Sequence, residues 1–405
     1  MLHVQPPGAR NFRRRPRSRI AKQFSLFYRS ALHLRRWNGR GKSRKLCAMR
    51  NPYLNLPPEA FWRTGVADVS PLAPREIYKK KWTIEPTDRI ATAGSCFAQH
   101  VTDRLRRAGF NVLDLEPPPE GLPDALCRQY GYRMYSARYG NIYTSRQLLQ
   151  LAQEALGLRQ AASLVWKSER GFHDGLRPTV EPSGLRTPDE VLMHRRFHLE
   201  RVRTMLLEMD VFVFTLGLTE TWEHESDGTV YPTAPGVAAG EEHYESVRFR
   251  NLDYDEVRAD LEAFMELVWR LQAENGKERP CRFLLTVSPV PLTATRSGHH
   301  VLVATTYSKS VLRAVAGHLA ATHEEVDYFP SYELITSSWS RGLFFDSNLR
   351  TVSPAGVDLV MSIFMSAHAL GTRVRGKRRR PSANDADADD EAICDEVILE
   401  SFART

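Results

Sequence analysis

Apolar residues along this chain recur in two rhythms, and the alternation between the rhythms predicts its architecture. Near-continuous apolar runs of strand length stand at Arg89-Ile-Ala-Thr-Ala93, Asp210-Val-Phe-Val-Phe-Thr-Leu-Gly217, Arg282-Phe-Leu-Leu-Thr-Val-Ser288 and Glu325-Val-Asp-Tyr-Phe329. Such runs mark strands buried on both faces. Between them the period changes. Phe97, Val101 and Leu105 predict a helix directly after the first run, and Val257, Leu261, Phe264, Val268 and Leu271 predict another over 254–274. Further helical patterns cover 198–209, 305–323 and 353–370. Repeated strand and helix argue an α/β fold with a parallel sheet covered on both faces. An additional strand is expected at Phe110-Asn-Val-Leu-Asp-Leu115, ended by Pro117-Pro-Pro119. Residues 155–190 read as an insertion holding a β-hairpin or lid, and the Pro- and aromatic-rich stretch 49–88 as an extended segment wrapping the domain.

Composition narrows the class. The chain has 405 residues, 42% of them hydrophobic, enough for a sizeable core. Its longest apolar runs are far short of the roughly 18 residues a membrane span needs, so a soluble protein without a transmembrane segment is expected. Cys47, Cys96, Cys127, Cys281 and Cys394 are scattered and lack metal-ligand spacing. Reduced thiols in the cytoplasm, no metal and no cofactor are therefore expected; no secretory signal pattern is present.

The net charge of +8 is unevenly placed. Residues 1–48 hold fourteen Lys and Arg and no acid, which leaves 42 basic against 48 acidic groups in 49–405, a net of −6. The expected organisation is thus a basic disordered arm over 1–48, a folded domain over 49–372 and a charged disordered tail over 373–405. The arm reads as a disordered extension, or as the product of a start upstream of Met49. Its arginine clusters alone would suit phosphates, and nucleic acid is not the expected partner of the net-acidic core.

The chemistry concentrates where expected strands end, which is where open parallel sheets bind ligands. The first such loop is Gly94-Ser95-Cys96, a sharp turn from strand to helix. Ser95 reads either as a helix cap or as a nucleophile favoured by a helix N-terminus. The other loops are Thr215-Leu-Gly-Leu-Thr-Glu-Thr-Trp222, Ser288-Pro-Val-Pro291 and Pro330-Ser-Tyr-Glu333.

Gly94-Ser-Cys-Phe-Ala98 resembles the motif that names the GSCFA domain family, which belongs to the SGNH or GDSL-like hydrolase superfamily. Tyr139-Gly-Asn-Ile-Tyr-Thr144, the Thr215–Trp222 loop, Thr286-Val-Ser-Pro-Val-Pro291, Tyr307-Ser-Lys309 and Tyr328-Phe-Pro-Ser-Tyr-Glu333 are similar to further blocks of that family, over roughly residues 50–370. The resemblance implies a flavodoxin-like three-layer α/β/α domain and ester hydrolysis or acyl transfer on an acylated small molecule or glycan. It implies Ser95 as nucleophile, with its own N–H as an oxyanion donor. Gly140 and Asn141 are the expected second donor block and Gly217 the glycine of the third. Thr219 and Ser288 would line the pocket beside Gly94 and Cys96. Glu220 stands where the wider superfamily has an asparagine; it reads as an orienting carboxylate or as a structural hydrogen-bonder.

One departure matters. Superfamily members carry an Asp-x-x-His motif before the last helix, and the histidine deprotonates the serine. Here the stretch is Asn348-Leu-Arg-Thr351, and neither end is a base at neutral pH. His299 and His300, in the loop after Ser288, are candidate substitutes, and Lys309 is a Ser–Lys type candidate. Cys96 is an alternative nucleophile. Loss of catalysis, leaving a ligand-binding module on a hydrolase scaffold, is the competing reading.

Overall fold

Strand and helix alternate as the sequence pattern predicts. The structure, a computed structural model, describes residues 51–368 and 397–400; the basic arm and most of the charged tail lie outside the described residues. By its contacts the chain divides into 1–56 and 57–405. In the first unit, residues 51–56 make a turn closed by Leu54 N–H on Asn51 O at 3.1 Å.

The second unit runs β1 (Ile90–Gly94), α1 (Phe97–Arg107), α2 (Asp124–Gln129), α3 (Ser145–Ala155), β2 (Val165–Ser168), β3 (Gly171–Asp174), α4 (Pro188–Glu208) and β4 (Val211–Leu216). It continues with β5 (Glu220–His224), β6 (Val230–Tyr231), β7 (Val247–Asn251), α5 (Tyr254–Glu274), β8 (Arg282–Val287), α6 (Val301–Thr322), β9 (Val326–Tyr328), α7 (Ser331–Thr336) and α8 (Pro354–His368). The four apolar runs form one parallel sheet in the order β1-β4-β8-β9.

Successive side chains of a strand point to opposite faces, and here each set meets its own helices. Ala91, Ala93, Phe212, Phe214, Phe283 and Leu285 pack with α3, α4, α5 and α6. Ile90, Val211, Val213 and Leu284 pack with α1, α7 and α8. The result is a three-layer α/β/α domain. Helix starts follow local chemistry: Asp253 and Glu256 form a capping box at α5, and Thr187 accepts from Glu190 N–H at α4. Helix α6 begins earlier than its apolar period predicts because His300 Nδ1 caps it, accepting from Leu302 N–H at 3.1 Å.

The strand expected at 110–115 is not formed. Val112 makes a single parallel bridge to Ile90, and the three prolines after Glu116 have no N–H for a ladder. The outer edge of β1 is covered by a later segment: Thr92 N–H donates to Ser136 Oγ at 3.0 Å and Ile142 N–H to Gly94 O at 2.9 Å. Residues 155–190 do hold a hairpin, β2 with β3. A separate antiparallel sheet, β6-β5-β7, follows β4. Ahead of β1, the chain is pinned to the last strand and to the segment after α7: Tyr78 Oη donates to Asp327 Oδ2 at 2.9 Å and Trp339 Nε1 to Val69 O at 2.8 Å. Among the described residues no helix is long and apolar enough to cross a membrane.

Candidate active site

The carboxyl ends of β1, β4 and β8 converge on a narrow pocket. Ser95 and Cys96 reach it from β1, Gly217 from β4, Ser288 from β8 and Lys309 from α6; Tyr143, Leu218, Val290, Pro291 and Leu292 supply its less polar wall. At the β1 end a glycine is obligatory. Gly94 has φ +141°, and a Cβ there would sit 2.4 Å from Thr215 O, inside the paired strands.

That turn delivers Ser95 to the pocket floor. Ser95 is 3% exposed and its Oγ has no hydrogen-bond partner. The capping alternative therefore does not hold: α1 begins at Phe97 after Cys96, with no side-chain cap bond. Buried hydroxyls ordinarily find partners, so a hydroxyl left unpaired against a pocket calls for an explanation.

Gly217 lies against this serine. A Cβ on Gly217 would be 3.0 Å from Ser95 Cβ and 3.0 Å from Tyr143 O, so only a hydrogen leaves room. Lys309 is 2% exposed and its Nζ donates to Gly217 O. The turn of α6 that carries it is anchored by Ser308, whose Oγ accepts from Thr219 N–H at 2.9 Å. Thr219 Oγ1 is in turn bonded to Asn251 Oδ1 at 2.6 Å, so Thr219 ties the loop after β4 to β7.

The oxyanion donors expected from the backbone are otherwise engaged. Ser95 N–H donates to Thr215 O at 3.1 Å, because the ladder between β1 and β4 continues one residue past Gly94. Gly217 N–H donates to Tyr143 O at 3.1 Å. Ser95 N–H, expected as an oxyanion donor, is thus bonded within the sheet.

The remaining candidates are dispersed. Asn141 is buried beside the site and does not line it; its Oδ1 lies 3.1 Å from Gln99 Nε2 and 2.6 Å from Tyr135 Oη, which is itself 3.0 Å from Ser95 O. Gly140, at φ +70°, makes the turn before it. Ser288 Oγ accepts from Val290 N–H at 3.3 Å, shaping the pocket wall. Glu220 accepts from Thr295 Oγ1 at 2.5 Å and from Arg296 N–H at 3.4 Å, which holds the 288–300 loop. His300 caps α6 and is exposed, as is His299; neither lines the pocket. Asn348 closes an exposed turn, accepting from the N–H groups of Arg350 and Thr351 at 2.9 Å each.

Residues 89–364 match the model described as the GSCFA family. The chain belongs to the GSCFA family. The match opens one residue before β1 and closes within α8, so it spans the whole parallel sheet and every residue that lines the pocket. No curated protein and no solved structure matches the chain.

Two features of this GSCFA domain escape sequence reading. Tyr143, Leu218 and Leu292 line the pocket; the first two stand in the Tyr139–Thr144 and Thr215–Trp222 blocks, where they were not singled out, and Leu292 stands outside any block. The second is a fully buried histidine–carboxylate pair away from the pocket: His198 Nδ1 lies 2.6 Å from Glu116 Oε2, and His198 Nε2 has no partner. Burial and the nearby Arg177 push His198 down to about 4, against the pull of Glu116. Burial alone would raise Glu116, but His198 and Arg177 hold it down at about 2. Among the described residues no group of three or more His, Cys, Asp or Glu is placed to hold a metal ion.

Proposed function

We propose that this GSCFA protein is a serine-dependent acyl-transfer enzyme, a carboxylic-ester hydrolase or acyltransferase related to the SGNH or GDSL-like hydrolases, with Ser95 as its nucleophile. The observation that carries the reading is the buried, unpartnered Ser95 hydroxyl at the strand–helix turn, facing a pocket. A nucleophilic serine needs its oxygen free to reach a carbonyl carbon, and a capping or core serine does not. The N-terminus of α1 adjoins the reacting oxygen and favours the negative charge that develops there. The pocket is narrow, walled by Tyr143, Leu218, Val290, Pro291 and Leu292, which favours a short acyl group with the remainder of the substrate outside. An acylated small molecule or glycan fits that description. The buried free thiols Cys96, Cys127 and Cys281 suit a cytoplasmic setting.

One observation favours a second reading, a non-catalytic binding module. Ser95 N–H and Gly217 N–H, the donors an oxyanion would use, are bonded to backbone carbonyls. A fluorophosphonate probe separates the two readings. It is expected to label the full chain at one serine and to leave Ser95→Ala unlabelled; equal labelling of both proteins, or of neither, favours the binding module.

A further inference from the structure

We infer that Lys309 takes the proton from Ser95, so that the site works as a serine–lysine pair in place of the absent Asp-x-x-His; the inference rests on Ser95 being the nucleophile. Three observations carry it. Lys309 is almost fully buried, which is rare for a lysine and leaves its amine directed into the protein. The amine lines the same pocket as the unpartnered Ser95 hydroxyl and donates to the carbonyl of Gly217, the residue packed against Ser95 Cβ. Neither His299, His300, Asn348 nor Thr351 lines that pocket; besides Lys309 its titratable side chains are Cys96 and Tyr143.

The hydrogen-bond arithmetic suits a base. A neutral amine carries two N–H groups and one lone pair. One N–H is directed to Gly217 O, and the lone pair of a neutral amine is the group that takes a hydroxyl proton, directly or through one water. In the forward step the Ser95 O–H proton passes to Lys309 Nζ as the Ser95 Oγ–acyl carbon bond forms. The ester C–O bond then breaks, and the ammonium returns its proton to the departing alkoxide. Water, or a second alcohol, repeats the sequence on the acyl-serine: its proton goes to Lys309, its oxygen joins the acyl carbon, and Ser95 leaves with the proton restored. No co-reactant beyond ester and water or alcohol is needed.

An alternative role for Lys309 is a fixed positive charge that only holds Gly217 or attracts an anion. Arginine separates the roles, since it keeps the charge and donors but cannot act as a base. The test is the rate of fluorophosphonate labelling of full-length wild type, Lys309→Arg and Lys309→Met between about pH 6 and pH 10. The wild-type rate is expected to rise with pH along one ionisation. Both variants are expected to lose roughly 10²–10⁴-fold in rate, and with it the ionisation, while melting cooperatively. An arginine variant within tenfold of wild type overturns the base role and leaves Ser95 as nucleophile. Labelling that persists in Ser95→Ala overturns the serine reading instead. If either Lys309 variant fails to melt cooperatively, the wild-type profile decides: a rate flat across that pH range overturns the inference.

Discussion

Ser95 N–H donates to Thr215 O at 3.1 Å, and this bond sets the orientation of the nucleophile candidate. It extends the β1–β4 ladder past Gly94 and commits the serine's backbone to the sheet. The side chain is then left to the pocket, where its Oγ meets no partner. In the proposed mechanism, charge stabilisation falls to the α1 terminus and to the ammonium that Lys309 becomes on taking the proton.

Two glycines frame Ser95, and they differ in kind. Gly94→Ala places a methyl 2.4 Å from a strand carbonyl at a φ of +141°, a clash with backbone that no rotamer relieves. A loss of about 3 kcal/mol or more is expected in urea unfolding, together with loss of probe labelling. Gly217→Ala instead meets Ser95 Cβ and Tyr143 O at 3.0 Å. Its expected cost is smaller, about 1–2 kcal/mol, but the labelling rate should fall more than tenfold because the displaced group is Ser95 itself. Labelling of folded Gly217→Ala at the wild-type rate would contradict this placement.

The buried His198–Glu116 pair predicts acid lability. In the unfolded chain His198 takes up a proton near the ordinary histidine value of 6.5, whereas in the folded protein it does so only at about 4. The unfolded state thus binds more protons between those values, and stability falls as pH drops through that window. The free energy of unfolding in urea should decline from about pH 6.5 toward pH 4, by an amount on the order of 2–3 kcal/mol, and His198→Gln should flatten the decline. Identical pH profiles for the two proteins would remove His198 as the cause.

Asn348 and His300 stand near chemically suggestive positions but serve as local caps. Asn348→Ala removes the acceptor for two turn N–H groups, and His300→Ala removes the acceptor at the start of α6. Each is expected to cost up to about 1 kcal/mol in thermal or urea unfolding and to leave probe labelling within twofold of wild type. A large loss of labelling with unchanged stability in either variant would instead put that residue at the site.

The parallel sheet, its helices and the turn at Ser95 were legible in the chain because they depend on local terms. Buried parallel strands require unbroken apolar runs, amphipathic helices require the 3.6 period, and the φ of Gly94 requires a glycine. The resemblance of Gly94–Ala98 and the later blocks pointed to the family that the 89–364 match shows. The missing Asp-x-x-His was also visible, since absence of a histidine is a fact of sequence.

What depends on long-range register was not. The 110–115 segment bonds β1 only at Ile90, while Ser136 and Ile142 take the rest of that edge. Ser95 N–H turned inward because β4 supplied the Thr215 carbonyl from 120 positions away in the chain. Lys309 was a Ser–Lys candidate by residue type; only the packing of α6 over the ends of β4 and β8 buried it and brought its amine to Gly217. Spacing along a chain records which face a residue occupies, whereas the partner on that face is chosen by tertiary packing. For this protein that difference separates knowing where the serine stands from knowing which group faces it.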